Sequence, residues 1–372
     1  MNKKKLLVIH PALAPYRVDF FNSLSEAFVA KYYFFNSNLM NQKFDQKQLQ
    51  KQLNFKCNYL RKGLNFKGRS LRFGVTKIIL NNNPDIIICP EYNPIILLVL
   101  STRFIFNKKF KIHTICDDSL ESAINVSFFK KHLRSFLLKR LDGVILTNNT
   151  VKEYYLNKLE IKTNLLIFPI IRREDKYILQ LKASIETSKK YIKQYNLENK
   201  KTFLFVGRLV KIKNIERLLE AFKPVVANYN DVRLIIVGSG EEQSFIKEKI
   251  VSLNLENNVV LPGRFEGTEL LAWYLTAGVF ILPSTSEVFG AVINEALLAG
   301  CYVLTSDLAG GASLIRENIN GNKFNPYDVN GISNIILTTL LNDNNFRDLG
   351  SFKKSRMNIT YKDTFNTLIE NL

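Results

Sequence analysis

The chain has 372 residues, too many for one ordinary compact domain, so two are expected. A hydrophobic fraction of 46% supports real cores, and no run of about 20 apolar residues is present to cross a bilayer as a helix. The formal net charge of +19 asks for an acidic partner, but Lys and Asn are enriched throughout, so charge alone does not choose among nucleic acid, anionic lipid and a phosphate-bearing substrate.

"MNKKKLLVIH" opens like a signal peptide, but its apolar run is only "LLVI" and no small-residue cleavage site follows. A first buried strand explains it better, and a cytoplasmic protein is expected. The longest later apolar run, "IILLVLSTRFIF", is short and interrupted by Arg103. Cys57, Cys89, Cys116 and Cys301 form no CxxC pair and read as reduced thiols. His10, His113 and His132 form no zinc-binding pattern.

Strand-like and helix-like segments alternate along the whole chain. "KLLVIH", "AKYYFF", "DIIICP", "FKIHTI" and "GVILTN" read as strands in the first half. "TFLFVG", "RLIIVG", "NVVLPG", "VFILPS" and "CYVLTS" do so in the second. Without polar alternation, such runs suit strands covered by helices on both faces, hence parallel α/β sheets. The expected architecture is two doubly wound, Rossmann-like domains facing a cleft. The first spans 1–170 and the second 171–350. Segment 351–372 reads as a helix packing back on the first. Ligands of open parallel sheets lie beyond the carboxyl ends of strands, so strand ends are where chemistry is sought.

Three constellations stand at such ends. In "FLFVGRLVKIKN" a strand runs into Gly207 and Arg208, with Lys213 after a short loop; both cations suit a diphosphate, or are solvated loop charges. In "LIIVGSGEE" the third glycine of a dinucleotide loop is missing and Glu241–Glu242 would repel an anion, so a tight turn is expected there. In "SEVFGAVINEALLAG" Glu287 lies in a loop and Glu295 inside the following helix, whose free N–H groups suit phosphate. A carboxylate there can accept from vicinal hydroxyls. The plainer alternatives are a salt bridge for Glu295 and a helix cap for Glu287.

Taken together these residues resemble retaining glycosyltransferases of family 4, with the GT-B fold. Glu287 and Glu295 match the Glu-x7-Glu signature. "GRLVKIKN" matches a Gly-Arg-Leu-x4-Lys element, with Asn214 where glycine is usual, and "LPG", "PSTSEVFG" and "INEALLAG" follow in order. The likeness is strong over about residues 200–330; before that it rests on "HPALAPYRVDFF" and the strand pattern.

The resemblance implies that Glu295 binds the ribose of a UDP- or GDP-sugar. It implies that Glu287, the backbone of Phe289, Gly290 and Ala291, and Gly207 face the sugar and diphosphate. Arg208 and Lys213 would neutralise the leaving group, and Gly263 and Arg264 would hold the base. No metal or other cofactor is expected, since no Asp-x-Asp motif is present. Pro15, Tyr16 and Arg17 fall on the acceptor side. The usual glycine pair after the first strand is absent, and "TICDDSLES" offers Asp117 without an adjacent histidine. Asp117 either contacts the sugar or activates the acceptor hydroxyl, or it caps a helix starting at Ser119.

The activity implied is transfer with retention, by front-face attack or double displacement through Glu287, to a glycan or lipid-linked acceptor in surface polysaccharide or glycoconjugate synthesis. An epimerase or phosphorylase on the same fold is the enzymatic alternative. A non-catalytic nucleic-acid or membrane-surface binding protein is the other class, though no nucleic-acid motif supports the former. Two basic, apolar segments could meet the anionic inner face of the plasma membrane: Leu60–Gly74, read as a loop, and "FFKKHLRSFLLKRLDG". The latter reads first as a helix burying Phe129, Leu133, Phe136 and Leu137 on the sheet.

Overall fold

Short runs of Ile, Val, Leu and Phe become central strands because helices cover both faces and leave no polar side to satisfy. The computed structural model describes residues 3–38, 44–66, 69–91, 93–161 and 163–372. Residues 1–170 and 362–372 make one compact unit and 171–361 the other.

In the N-terminal unit the strands are β1 (Lys5–His10), β2 (Val29–Phe34), β3 (Cys57–Tyr59), a hairpin of β4 (Gly63–Phe66) and β5 (Arg69–Arg72), then β6 (Ile86–Pro90), β7 (Lys111–Cys116), β8 (Gly143–Leu146) and β9 (Asn164–Ile167). All but the hairpin join one parallel sheet in the order β3-β2-β1-β6-β7-β8-β9. The order reverses between β1 and β6. β6 is buried along its whole length. One core layer collects Ile87 and Cys89 of β6, Ile96 and Val99 of the helix Ile95–Ile105, and Leu137 and Leu138 of the helix Phe128–Leu138. Those two helices therefore pack on one face of the sheet. The segment read as a loop at Leu60–Gly74 instead contains the β4–β5 hairpin; its Lys67 and Gly68, like the side chain of Phe129, lie outside the described residues.

In the C-terminal unit β10 (Lys201–Val206), β11 (Val232–Val237), β12 (Val259–Gly263), β13 (Val279–Leu282), β14 (Tyr302–Ser306) and β15 (Gly321–Phe324) form a parallel sheet in the order β12-β11-β10-β13-β14-β15. Its order reverses between β10 and β13. Strands β3 and β15 are absent from the sequence reading: each is short, carries polar residues and pairs on one side only, so neither has an apolar run to announce it.

The stretch after Gly350, expected to be helical, is irregular as far as Thr360, and the last helix is Tyr361–Glu370. Residues 351–360 spend their polar groups elsewhere. The Arg356 backbone N–H donates to the Leu297 carbonyl (2.8 Å) and its Nε to that of Gly300 (3.1 Å), satisfying carbonyls at a helix end. Phe365 of the last helix meets the rings of Phe20 and Phe168 at 6.4 and 6.2 Å, within the N-terminal unit.

Candidate active site

The donor-side residues of the C-terminal unit gather where its strand order reverses, the place where ligands of such sheets bind. Gly207 and Arg208 follow β10, and the loop Pro283–Phe289 follows β13. Two ties lace these loops together. The Thr285 N–H donates to the Ile212 carbonyl at 2.9 Å. Asn214 Nδ2 donates to the carbonyls of Pro283 (3.1 Å) and Pro326 (2.7 Å). Asn214 is buried in the left-handed region at φ 58°, which explains why asparagine can stand where glycine is usual. Arg217 donates to its Oδ1 at 3.0 Å, turning the amide so that its N–H groups face the two carbonyls.

Lys213 and Glu287, largely buried, form an ion pair across these loops. A Cβ on Gly207 would lie 3.8 Å from Lys213 Cε, so the ammonium sits beside the end of β10. Arg208 is exposed and holds no ion pair among the described residues, leaving its guanidinium available for a ligand. Glu287 does not cap the next helix. The N-cap of Ala291–Leu298 is Gly290, at φ 81°, which has no side chain to offer, so no side chain caps the first turn, although the Ile293 N–H turns back to the Gly290 carbonyl at 2.9 Å. The Phe289 ring is buried, and its carbonyl accepts from the Gly311 N–H at 2.6 Å; Ala291 is part-exposed.

Glu295, on the same helix, does make the salt bridge that was its plainer alternative. Arg172 Nη1 lies 3.5 Å from Oε1, and the Tyr274 hydroxyl donates to Oε2 at 3.0 Å. Burial raises the carboxyl above its usual range, while Arg172 and Tyr274 pull it down. The side chain keeps 16% of its surface open, enough for one face to meet a ligand.

The Gly238–Ser239–Gly240 turn supports the Arg208 loop. The Leu209 N–H donates to the Ser239 carbonyl and the Glu242 N–H to that of Leu209, both at 2.9 Å. A Cβ on Gly238 would fall 1.9 Å from the Gly207 carbonyl oxygen, so the backbones touch and no side chain fits. The Gly263 carbonyl accepts from the Gly238 N–H at 2.8 Å, and the exposed Arg264 pairs with Glu266.

In the N-terminal unit the strand order reverses at β1 and β6, and polar residues again collect at the carboxyl ends. Pro15–Arg17 forms a short turn leading into the helix Val18–Ala27. Arg17 is 1% exposed, pairs with Asp117 after β7, and stands 5.7 Å from the ring centres of both Tyr16 and Phe20. Asp117 is not a helix cap: Ser119 caps the helix Leu120–Ile124, its Oγ accepting from the Ser122 N–H at 3.1 Å. The Asp117 N–H donates to Glu91 Oε2 at 2.8 Å. Burial, with Asp118 and Asp117 nearby, pushes the Glu91 carboxyl up to about 8. Ligand atoms of Glu91, Cys116 and Asp118 lie within 4.8 Å of one another, but Arg134 (2.9 Å) and the Tyr155 hydroxyl (2.8 Å) already engage Asp118 Oδ2. A cation in place leaves little attraction for a metal ion.

Sequence reasoning missed Glu91, Arg172 and Tyr274. Glu91 had a signal, a carboxylate directly after the buried strand "IIICP". Arg172 and Tyr274 had none, since only folding brings them to Glu295.

Residues 187–356 match the family described as glycosyl transferases group 1. Over 124 residues the chain is 35% identical to an uncharacterized glycosyltransferase of Methanocaldococcus jannaschii, covering 33% of this chain and 32% of that protein. It is 28% identical over 229 residues to the alpha-monoglucosyldiacylglycerol synthase of Streptococcus pneumoniae, covering 59% and 48%. It is 26% identical over 262 residues to the capsular polysaccharide biosynthesis glycosyltransferase CapM of Staphylococcus aureus, covering 66% and 64%. The chain thus spans about a third to two thirds of the length of these relatives. Among solved structures, a glycosyltransferase from Rickettsia africae superposes with TM-score 0.75 at 19% identity, covering 100% of this chain and 98% of that one. Anabaena HepE in complex with UDP gives 0.73 at 19%, covering 98% of each. The chain accordingly has the GT-B glycosyltransferase fold, and its segment 187–356 carries the glycosyl transferases group 1 pattern.

Proposed function

We propose that the chain is a retaining, metal-independent glycosyltransferase, moving a sugar from a nucleoside-diphosphate sugar to a glycan or lipid-linked acceptor in surface polysaccharide or glycoconjugate synthesis. The observation that carries this reading is the Lys213–Glu287 ion pair beside an uncapped helix start, where β10 and β13 part. Arg208, Lys213 and the helix N–H groups hold the diphosphate and stabilise charge growing on the leaving oxygen. Glu295, steadied by Arg172 and Tyr274, takes the ribose hydroxyls. The backbone near Gly263 and Arg264 takes the base. Glu287 and the backbone at Phe289, Gly290 and Ala291 meet the sugar.

Attack comes from the front face, the departing diphosphate oxygen accepting the acceptor's proton. Asp117, held by Arg17 and Glu91, orients the acceptor hydroxyl beside Tyr16 and Pro15. UDP is the nucleotide favoured, because the Anabaena structure of this fold is a UDP complex. The chain acts in the cytoplasm, with a peripheral seat on the inner leaflet.

The test is a thermal-shift titration with UDP, GDP and their sugars. A ligand of the native state raises the melting temperature with concentration, and Arg208→Ala or Lys213→Ala should remove most of that rise. Unaltered shifts and near-normal transfer by both variants would refute the donor assignment.

A further inference from the structure

The amino ends of the N-terminal sheet carry a contiguous run of exposed apolar side chains. The helix Ile95–Ile105 ends in three consecutive apolar side chains left in water: Phe104 (88% exposed), Ile105 (70%) and Phe106 (46%). Isolated exposed apolar residues need no explanation, but a contiguous run at a helix end does. The chain then passes Asn107, Lys108 and Lys109 before Phe110 returns to the core.

Next to this run lies an open groove of about 760 Å³, lined by Leu100, Arg103, Phe104, Lys108, Arg140 and Asp142. Arg103 ties its two walls, reaching Asp142 Oδ2 at 2.6 Å and the Arg140 carbonyl at 3.0 Å. Beyond it the Arg140 guanidinium lies 3.5 Å from the ring centre of Phe136. Phe136 was expected in the core, yet it is 48% exposed, because its neighbours Leu137 and Leu138 take the buried side of the helix. Two carboxylates beside the groove are already engaged. Asp142 serves Arg103 and the Ile112 N–H, and Asp85 the Lys5 N–H at 2.7 Å. Lys109 and Lys139 are exposed and hold no ion pair among the described residues.

We propose that this edge, centred on Phe104–Phe106 and Phe136 and ringed by Lys108, Lys109, Lys139 and Arg140, is a docking face for an anionic lipid surface. The inference goes beyond the proposed peripheral seat by assigning it to the amino-end edge, and it stands apart from any reading of the sugar site. Aromatic and aliphatic side chains enter the headgroup boundary, where lysine and arginine stems lie on apolar surface with their charges among the lipid phosphates. Charge complementarity selects this occupant: a second copy would set the same cations against each other under two-fold symmetry, whereas an anionic leaflet attracts them. A nucleic acid would satisfy the cations but gives Ile105 nothing to bury against.

The experiment is co-sedimentation of the full chain with vesicles of phosphatidylcholine alone and of phosphatidylcholine with phosphatidylglycerol, at low and high salt. Wild type should bind the anionic vesicles, weaken as salt rises, and ignore the neutral ones. Lys108→Gln with Lys109→Gln should weaken binding about 25-fold, near five-fold for each charge. Phe104→Ser with Ile105→Ser leaves the charge untouched and should still weaken it by about ten-fold or more. Phe104, Ile105 and Lys109 are exposed, and Lys108 is part-exposed with one surface hydrogen bond to Asn83, so melting temperature and UDP binding should match wild type in both variants. Equal binding to neutral vesicles, or indifference to the Phe104–Ile105 change, would overturn the proposal. So would tight binding to duplex DNA in place of vesicles, or self-association that this change abolishes.

Discussion

Replacing Asn214 isolates how a single side chain holds the two loops of the donor site. In Asn214→Ala the carbonyls of Pro283 and Pro326 lose their shared donor, and each unsatisfied buried group costs about 1–3 kcal/mol. Alanine must also adopt φ near 58°, at about 1 kcal/mol more. The expected loss is about 3–7 kcal/mol in the C-terminal unit. Asn214→Gly removes the strain but leaves the carbonyls unpaired, so its loss should be smaller by about 1 kcal/mol. The chain has a single tryptophan, Trp273, buried in this unit and stacked on Tyr191 at 4.4 Å, so its fluorescence in a urea titration follows that unit alone. UDP affinity should fall in both variants, because the loops bearing Lys213 and Glu287 come apart. An Asn214→Ala protein within about 0.5 kcal/mol of wild type would refute the reasoning, for that is the scatter of a neutral surface change.

The two glutamates should separate kinetically. Glu295→Gln should mainly raise the donor KM and weaken binding of free nucleotide, whereas Glu287→Gln should mainly lower kcat and leave nucleoside diphosphate affinity nearly unchanged. Calorimetry with UDP beside steady-state kinetics checks both, and reversed outcomes would mean the roles are exchanged. Glu91 should set a pH dependence of stability. Its folded pKa of about 8 lies above the ordinary carboxyl value, so its contribution is full below about 4.5 and is lost as pH rises toward 8. Glu91→Gln should flatten this decline, seen as a melting-temperature gain over wild type that grows between pH 5 and pH 8; no growth with pH would count against a protonated Glu91. Transfer should persist in excess EDTA, because Arg134 and Tyr155 already engage Asp118 in the carboxylate cluster; loss restored by magnesium or manganese would overturn that.

The fold class was legible in the sequence, because a buried parallel strand must be apolar on both sides and short apolar runs alternating with helix-like segments therefore mark such strands. The sequence also marked Gly207, Arg208, Lys213, Glu287 and Glu295, since strand ends in such sheets are where polar residues can meet a ligand. It did not reveal the edge strands β3 and β15, whose single pairing asks for no apolar run, nor the irregular course after Gly350, where backbone and side-chain groups are spent on a helix end. Partnership was decided only by tertiary structure. That Lys213 pairs with Glu287, that Arg172 and Tyr274 steady Glu295, and that Asp117 turns to Arg17 all depend on contacts between segments distant in the chain. Local patterns report how a residue meets its own strand or helix; they carry no information on which far segment is brought against its side chain.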